Sequence, residues 1–176
     1  MSLRRQDPLA NPERMIRRVY SYVAYLVGDG PEAEDITSEA VERMIRYSES
    51  YDPEKGAPVA WALGIARRCI AARVGEPTPL PEDDLEQLAE PAGDVDAVDR
   101  LTVRDAVSRL PAHERELVAL RYGADLTARQ IGELLGVRTN TVEVGLHRAH
   151  ARLRAELAAD FRPVRAPRDD PAHDAL

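Results

Sequence analysis

In the C-terminal half of the chain, apolar residues recur at helical spacing. Within "LTARQIGELLGVRTNTVEVGLHRAHARL", residues 126–153, Ile131, Leu134 and Leu135 make one stripe. Val142, Leu146, Ala149 and Leu153 make a second, at steps of four, three and four, so that each stripe is one buried helix face. Thr127 followed by Gln130 is a capping box that starts the first helix, and Gly136 ends it. Thr139 or Asn140 then caps the second helix, and Glu143 reads either as the partner of an Asn140 cap or as a group that repels or selects nucleic acid. Upstream, one helix ends near Leu110, and Pro111 starts another that Gly123 stops.

The N-terminal half carries the same period. Asn11 and Pro12 supply a cap and first-turn residue for a helix to Val27, Pro31 opens a helix to Tyr47, and Pro58 opens a third through Val74. The loop "SESYDPEKGA" separates the last two. On the second helix, Ile36, Ala40, Met44 and Tyr47 share one apolar face, while Val41 and Ile45 stand beside Ser38 on another. A helix that is apolar on two sides needs two partners. No alternating strand pattern or hairpin signal interrupts these elements, and the expected class is all-α.

Charge divides the chain. Of the 176 residues, 44% are hydrophobic, enough for a core, and the formal net charge is −7. The acidity is concentrated in residues 75–99, which hold nine acidic side chains, no basic ones and four prolines. That composition reads as a flexible linker. It separates a near-neutral helical bundle at 11–74 from a near-neutral helix-turn-helix domain at 100–158, preceded by a flexible N-terminus at 1–10 and followed by a disordered tail at 159–176. Salt screens charge over about 8 Å, so the local patch rather than the net charge decides whether either domain meets nucleic acid. The start of the chain has no apolar signal core and no apolar run of membrane-spanning length occurs, so a cytoplasmic location is expected. Every basic residue but Lys55 is arginine. Cys69, the one cysteine, lies in the apolar run "AWALGIARRCIAARV" and reads as a small buried side chain.

The buried stripe of the second helix of the pair fixes what faces outward: Asn140, Val144, His147, Arg148 and Ala151, flanked by Thr141, Arg152 and Arg154. Asn and Arg have the geometry for bidentate contacts to adenine and guanine edges, and the helix N-terminus offers free amides to phosphate. The plainer alternative is a helix pair with a packing role. Glu143, His147 and His150 do not make a metal site, because His150 turns toward the buried flank. No nucleophile, base and orienting group occur together, so neither a catalytic site nor a cofactor is expected.

Both halves resemble the extracytoplasmic-function sigma factors of the sigma-70 family. "AVSRLPAHERELVALRYGADLTARQIGELLGVRTNTVEVGLHRAHARLRAEL" is similar to sigma region 4. "YLVGDGPEAEDITSEAVERMIRYSESYDPEKGAPVAWALGIARRCIAARV" is similar to region 2, and the order of the two is the specific feature. The resemblance implies binding to core RNA polymerase, at the clamp helices of its largest subunit, through Asp35, Ser38, Glu39, Val41 and Ile45. It implies minus-10 recognition by the loop from Tyr51 to Pro58, with Tyr51, Asp52 and Lys55, and by Arg67, Arg68 and Arg73 of the following helix. Trp61 matches a family landmark and reads as core rather than as a base-stacking group. For the minus-35 element it implies Arg138, Asn140, Thr141, Val144, His147, Arg148 and Arg152 on the recognition helix, with Thr127 and Arg129 in support. Where the family has basic, small polar and basic residues, this chain has Glu143, Val144 and Gly145, so weakened or altered minus-35 binding is expected. The implied partners are core RNA polymerase, promoter DNA and, as a further candidate, an anti-sigma factor. A helix-turn-helix regulator that binds duplex DNA without polymerase is the competing reading. A metal-dependent or thiol enzyme has only Cys69 and the histidines as material.

Overall fold

A computed structural model describes residues 7–75 and 100–160 of the chain. The expected linker and tail lie almost wholly outside the described residues. Among the described residues all regular structure is helical: α1 Pro12–Val27, α2 Pro31–Tyr47, α3 Pro58–Val74, α4 Arg100–Ser108, α5 Ala112–Val118, α6 Ala128–Leu135 and α7 Thr139–Asp160. Two short 3-10 turns, Ser48–Ser50 and Pro53–Lys55, form the loop between α2 and α3. Prolines at the starts of α1, α2 and α3 act as read, and the Asn11 side chain accepts the Arg14 amide at 3.1 Å. Residues 7–10, expected to be flexible, instead form a turn closed by the Ala10 amide on the Asp7 carbonyl at 3.1 Å, and Leu9 packs on the core.

The helix that Pro111 starts runs to Gly123, but its last turn changes character. After α5 the residues Ala119–Gly123 wind as a π-helical turn, with the Ala124 amide on the Ala119 carbonyl at 2.9 Å. The wider turn brings Gly123 against the backbone of α1, where a side chain would not fit freely: a Cβ there would lie 3.1 Å from the Ser21 carbonyl carbon and oxygen. Arg18 closes the same junction from α1, with Nε donating to the Ala124 carbonyl at 2.6 Å and Nη2 to that of Asp125 at 2.9 Å. These carbonyls at the helix end have no intrahelical partner, and the guanidinium supplies one.

One core therefore crosses what the sequence reads as two domains. Met15, Val19, Tyr22 and Val23 of α1, Ile36, Ala40 and Met44 of α2 and Leu63, Cys69 and Ile70 of α3 are buried in the same cluster as Leu117, Leu120, Leu126, Ile131, Val142 and Leu146. A satellite cluster of Val107, Leu110, Val118 and Ala149 sits under Val103, Tyr25 and Leu153. α3 is apolar on several sides because it lies against α1 and α2 and also approaches α6. Tyr47, expected on the buried face of α2 with Ile36, Ala40 and Met44, is instead half exposed. It is the last residue of its helix, where the chain turns off and carries the ring away from the face it would otherwise continue.

Candidate nucleic-acid interface

α6 and α7 form the expected helix-turn-helix, and the local chemistry explains its shape. The Thr127 amide donates to Gln130 Oε1 at 2.9 Å and the Gln130 amide to Thr127 Oγ1 at 3.3 Å, a complete capping box. Gly136 ends α6 at a φ of 72°, a left-handed conformation that glycine adopts without strain. Gly132 lets the following turn fold back, since a Cβ on it would stand 2.8 Å from the Val137 carbonyl oxygen. Thr127 is thereby a structural cap, and Arg129 pairs with Glu133 at 3.0 Å on the outer side of α6.

The start of α7 differs from expectation. The Val142 amide bonds the Arg138 carbonyl at 3.3 Å, so Arg138 is the capping residue and Thr139 and Asn140 occupy the first two helical positions. Glu143 then lies in the second turn, out of reach of a capping role, and it is exposed. The turn closes one residue early because Val137 is tied back to Gly132, its amide on the Gly132 carbonyl at 3.0 Å. The buried stripe is as read: Val142, Leu146 and Ala149 are buried. Arg138, Thr139, Asn140 and Arg152 are exposed, and Thr141, Val144, His147 and Arg148 are half-buried along the same flank. Gly145 is buried on the packed side, so it does not stand at the DNA-facing surface. Arg152 reaches back to the buried Glu114, Nε to carboxylate at 3.1 Å. His150 meets Tyr122, Nε2 to hydroxyl at 2.7 Å, and burial lowers its basicity, helped by Arg154 and His147 nearby. Among the described residues no group of metal-ligating side chains comes together.

In the first domain the loop after α2 is built around Tyr51. Its ring is buried, meets the Trp61 ring edge-on at a centroid distance of 5.6 Å, and its hydroxyl donates to the Gly56 carbonyl at 2.9 Å. Asp52 accepts the Glu54 amide at 3.0 Å and lies 3.6 Å from Lys55 Nζ. Tyr51 and Asp52 thus shape the loop and leave Lys55 exposed at its tip. Trp61 packs against the core, as read, with one edge lining a cleft of about 710 Å3. That cleft gathers Tyr51, Asp52, Lys55, Trp61, Arg67 and Arg68, and its opposite wall comes from Leu126 before α6 and from Gln130, Glu133 and Leu134 of α6.

The three arginines of α3 have different surroundings. Arg68 is exposed on the cleft. Arg73 lies 3.7 Å from Asp35 and 3.7 Å from Glu39 of α2, so two residues expected to touch polymerase face one expected to touch DNA. Arg67 donates through Nε to the buried Glu116 of α5 at 2.7 Å, and the Tyr22 hydroxyl donates to the same carboxylate oxygen at 3.3 Å. Burial opposes the Arg67 charge, but Glu116 more than offsets it and holds the guanidinium more basic than usual. Burial, with Glu116 beside it, also keeps the Tyr22 phenol protonated. No spacing rule links Arg67 to Glu116; the two buried glutamates in "HERELV" were the signal that a partner was required. On α2, Glu39 also pairs with Arg43 at 2.6 Å, Ser38 is exposed, Val41 is half-buried against the core, and Ile45 is 61% exposed. Cys69 is buried as expected, and burial raises its thiol pKa.

Comparison with known proteins agrees with this layout. Residues 13–74 match the family model for sigma-70 region 2 and residues 100–153 that for sigma-70 region 4. The extracytoplasmic-function (ECF) RNA polymerase sigma factor SigK of Mycobacterium sp. (strain KMS) is 29% identical over 140 residues, covering 74% of this chain and 72% of that protein. The ECF factor SigL of Mycobacterium tuberculosis (strain ATCC 25618 / H37Rv) is 28% identical over 154 residues, covering 79% and 82%. Among solved structures, the sigma factor RpoE of Bartonella quintana, crystallised with the anti-sigma factor NepR, has the same fold at a TM-score of 0.60 and 18% identity, covering 83% of this chain and 93% of that one. With α1–α3 inside the first matched region and α4–α7 carrying the second, in the order the family requires, the chain belongs to the sigma-70 family of RNA polymerase sigma factors, in its extracytoplasmic-function branch.

Proposed function

We propose that the chain docks on core RNA polymerase through the outer side of α2, engages the minus-10 strand with the α2–α3 loop and the arginines of α3, and reads the minus-35 element with α7. The observation that carries the docking assignment is Ile45, a large apolar side chain left 61% exposed on a helix whose opposite face is buried. Asp35, Ser38 and Glu39 lie in the preceding turns of the same helix, and Val41, one turn before Ile45, is half-buried against the core. Arg138, Asn140, Thr141, Val144, His147, Arg148 and Arg152 form the minus-35 surface, and Lys55, Arg67, Arg68 and Arg73 supply positive charge along the minus-10 path. The work is recognition and binding rather than catalysis, and it belongs in the cytoplasm, where polymerase and promoter are. An anti-sigma factor is a further partner of the kind that accompanies the Bartonella protein.

Run-off transcription tests the assignment. Core polymerase with this chain, on a library of genomic fragments, is expected to give discrete transcripts that core polymerase alone does not. Duplex binding by the free chain that is unaffected by core polymerase, with no transcripts, would instead make it a regulator that acts without polymerase.

A further inference from the structure

Glu143 is the one acidic residue between Thr139 and Leu153 of α7. Asn140, Glu143 and His147 follow at steps of three and four, so they share one row on the outer flank, away from the buried Val142, Leu146 and Ala149. Asn140 and Glu143 are exposed, and His147 is half-buried. A helix-turn-helix sets the N-terminal part of its second helix on base edges, which is where this row begins. Elsewhere the chain neutralises such carboxylates. Glu13, Glu39, Glu42 and Glu133 each have an arginine four residues away on the same helix, within 3.5 Å. Glu143 breaks the pattern, because Thr139 and His147 stand four residues to either side of it, and it has no hydrogen bond or ion pair among the described residues. Nor does it complete a cap, since Arg138 is the capping residue. Its whole capacity to accept hydrogen bonds is left over.

The chemistry of the major groove says what an unpaired carboxylate can meet there. Guanine shows the acceptors N7 and O6, thymine shows the acceptor O4, and adenine sets its N6 amine beside the acceptor N7. All three turn a lone pair toward a carboxylate. Cytosine offers its N4 amine with no acceptor beside it on the same base, so it is the base a glutamate accepts from. The same charge is repelled by the phosphates on either side of the groove whatever the sequence. A glutamate in this row therefore lowers affinity for DNA in general and recovers part of it at one base.

We propose that Glu143 is a specificity-determining residue of α7, its carboxylate accepting the N4 amine of one cytosine in the minus-35 element and its charge penalising any other base at that pair. The proposal rests on the minus-35 role given to α7 above. Side chains three apart on a helix are about 5–6 Å from each other, and base pairs stack at about 3.4 Å, so the cytosine lies within about two pairs of the base that Asn140 meets. Discrimination of this kind works by an unfavourable charge as much as by a favourable contact. Glu143→Lys accordingly tightens binding through phosphate and erases the preference.

The test uses holoenzyme assembled from core polymerase with the parent chain, Glu143→Ala or Asn140→Ala; alanine at either exposed position favours the helix, so both variants fold. The minus-35 segment of a promoter found by run-off transcription is randomised, and the sequences that each holoenzyme retains are read. The parent should favour cytosine at one position by about tenfold, and Glu143→Ala should hold the four bases there within about twofold while preferences elsewhere persist. Asn140→Ala should keep the cytosine and relax a neighbouring position. A second measurement addresses the contact itself. N4-methylation of that cytosine keeps the base pair and puts a methyl group where the free N–H pointed, and it should weaken the parent about tenfold and Glu143→Ala by less than about twofold. The assignment is overturned if Glu143→Ala retains the same bases as the parent at every position, if the position that changes favours a base other than cytosine, or if N4-methylation weakens both holoenzymes alike. Each of these leaves the promoter role standing. A parent holoenzyme that gives no transcripts has a different meaning: the promoter role itself falls, and Glu143 has no element to read.

Discussion

At the scale of single residues, the minus-35 role proposed for α7 would present DNA with a mixed surface. Asn140 is exposed at the second helical position, where a short amide can reach a base edge, while Glu143, one turn on, is exposed with negative charge. Asn140→Ala is expected to cost about 1–3 kcal/mol at the minus-35 element and to relax preference at one base pair, as measured with promoter variants and the holoenzyme. A uniform loss over all variants would mean a phosphate contact. Because Glu143 completes no cap, Glu143→Lys is expected to leave the unfolding midpoint within about 0.5 kcal/mol of the parent while strengthening holoenzyme binding and steepening its salt dependence by about one unit. In the α2–α3 loop, Tyr51 is tied to Gly56 through its hydroxyl. Tyr51→Phe keeps the ring on Trp61 and removes that bond, for an expected loss of about 0.5–1.5 kcal/mol in urea unfolding. The sequence marked Tyr51 as a loop residue, but not that its ring turns inward; that follows from Trp61 standing one helical turn into α3 to receive it.

At the scale of elements, α2 and the helix-turn-helix were the most legible. Both faces of α2 could be drawn from spacing, and Ile36, Ala40 and Met44 are buried while Ile45 is not. Ile45→Glu is therefore expected to leave folding intact and to weaken capture of core polymerase by at least about tenfold, a cost in the range of a lost interface hot spot. Unchanged capture would move the docking surface elsewhere. Val41→Glu is a poorer test, because Val41 also packs on the core. In the helix-turn-helix the tight point is Gly132. Gly132→Ala would set its Cβ against the Val137 carbonyl and is expected to destabilise by about 1–3 kcal/mol, read as a lower melting temperature. The early start of α7 was not legible, since Thr139 and Asn140 both have the chemistry of a cap and Arg138 does not. Backbone pairing between Val137 and Gly132 decided it.

At the scale of the molecule, the shared core has a thermodynamic consequence. Tyr22, Leu117 and Leu120 are fully buried in one cluster, so the two units cannot unfold independently without exposing that surface. Calorimetry is expected to show a single transition for the parent and two for Gly123→Val. Two transitions in the parent would show the junction to be too weak to couple them.

The sequence by itself determined the helices, the caps of all but α7 among those it assigned, and most of their inward faces, because those depend on local chemistry: prolines at first turns, Thr127 with Gln130, glycine at a left-handed position, apolar residues at helical spacing. It also determined the family, since the motif order is written along the chain. Only the tertiary structure decided which charges are occupied. Arg67 on Glu116, Arg73 on Asp35 and Glu39 and Arg152 on Glu114 each join residues from different helices, and Arg104 of α4 meets Asp29 in the turn between α1 and α2. An arginine at a suitable place on a helix looks available to DNA in sequence, yet a carboxylate from another element faces it, a buried one for Arg67 and Arg152. These pairs follow from the packing of α3 on α2, of α7 on α5 and of α1 against the π-helical turn, contacts between separate parts of the chain that helical periodicity does not encode.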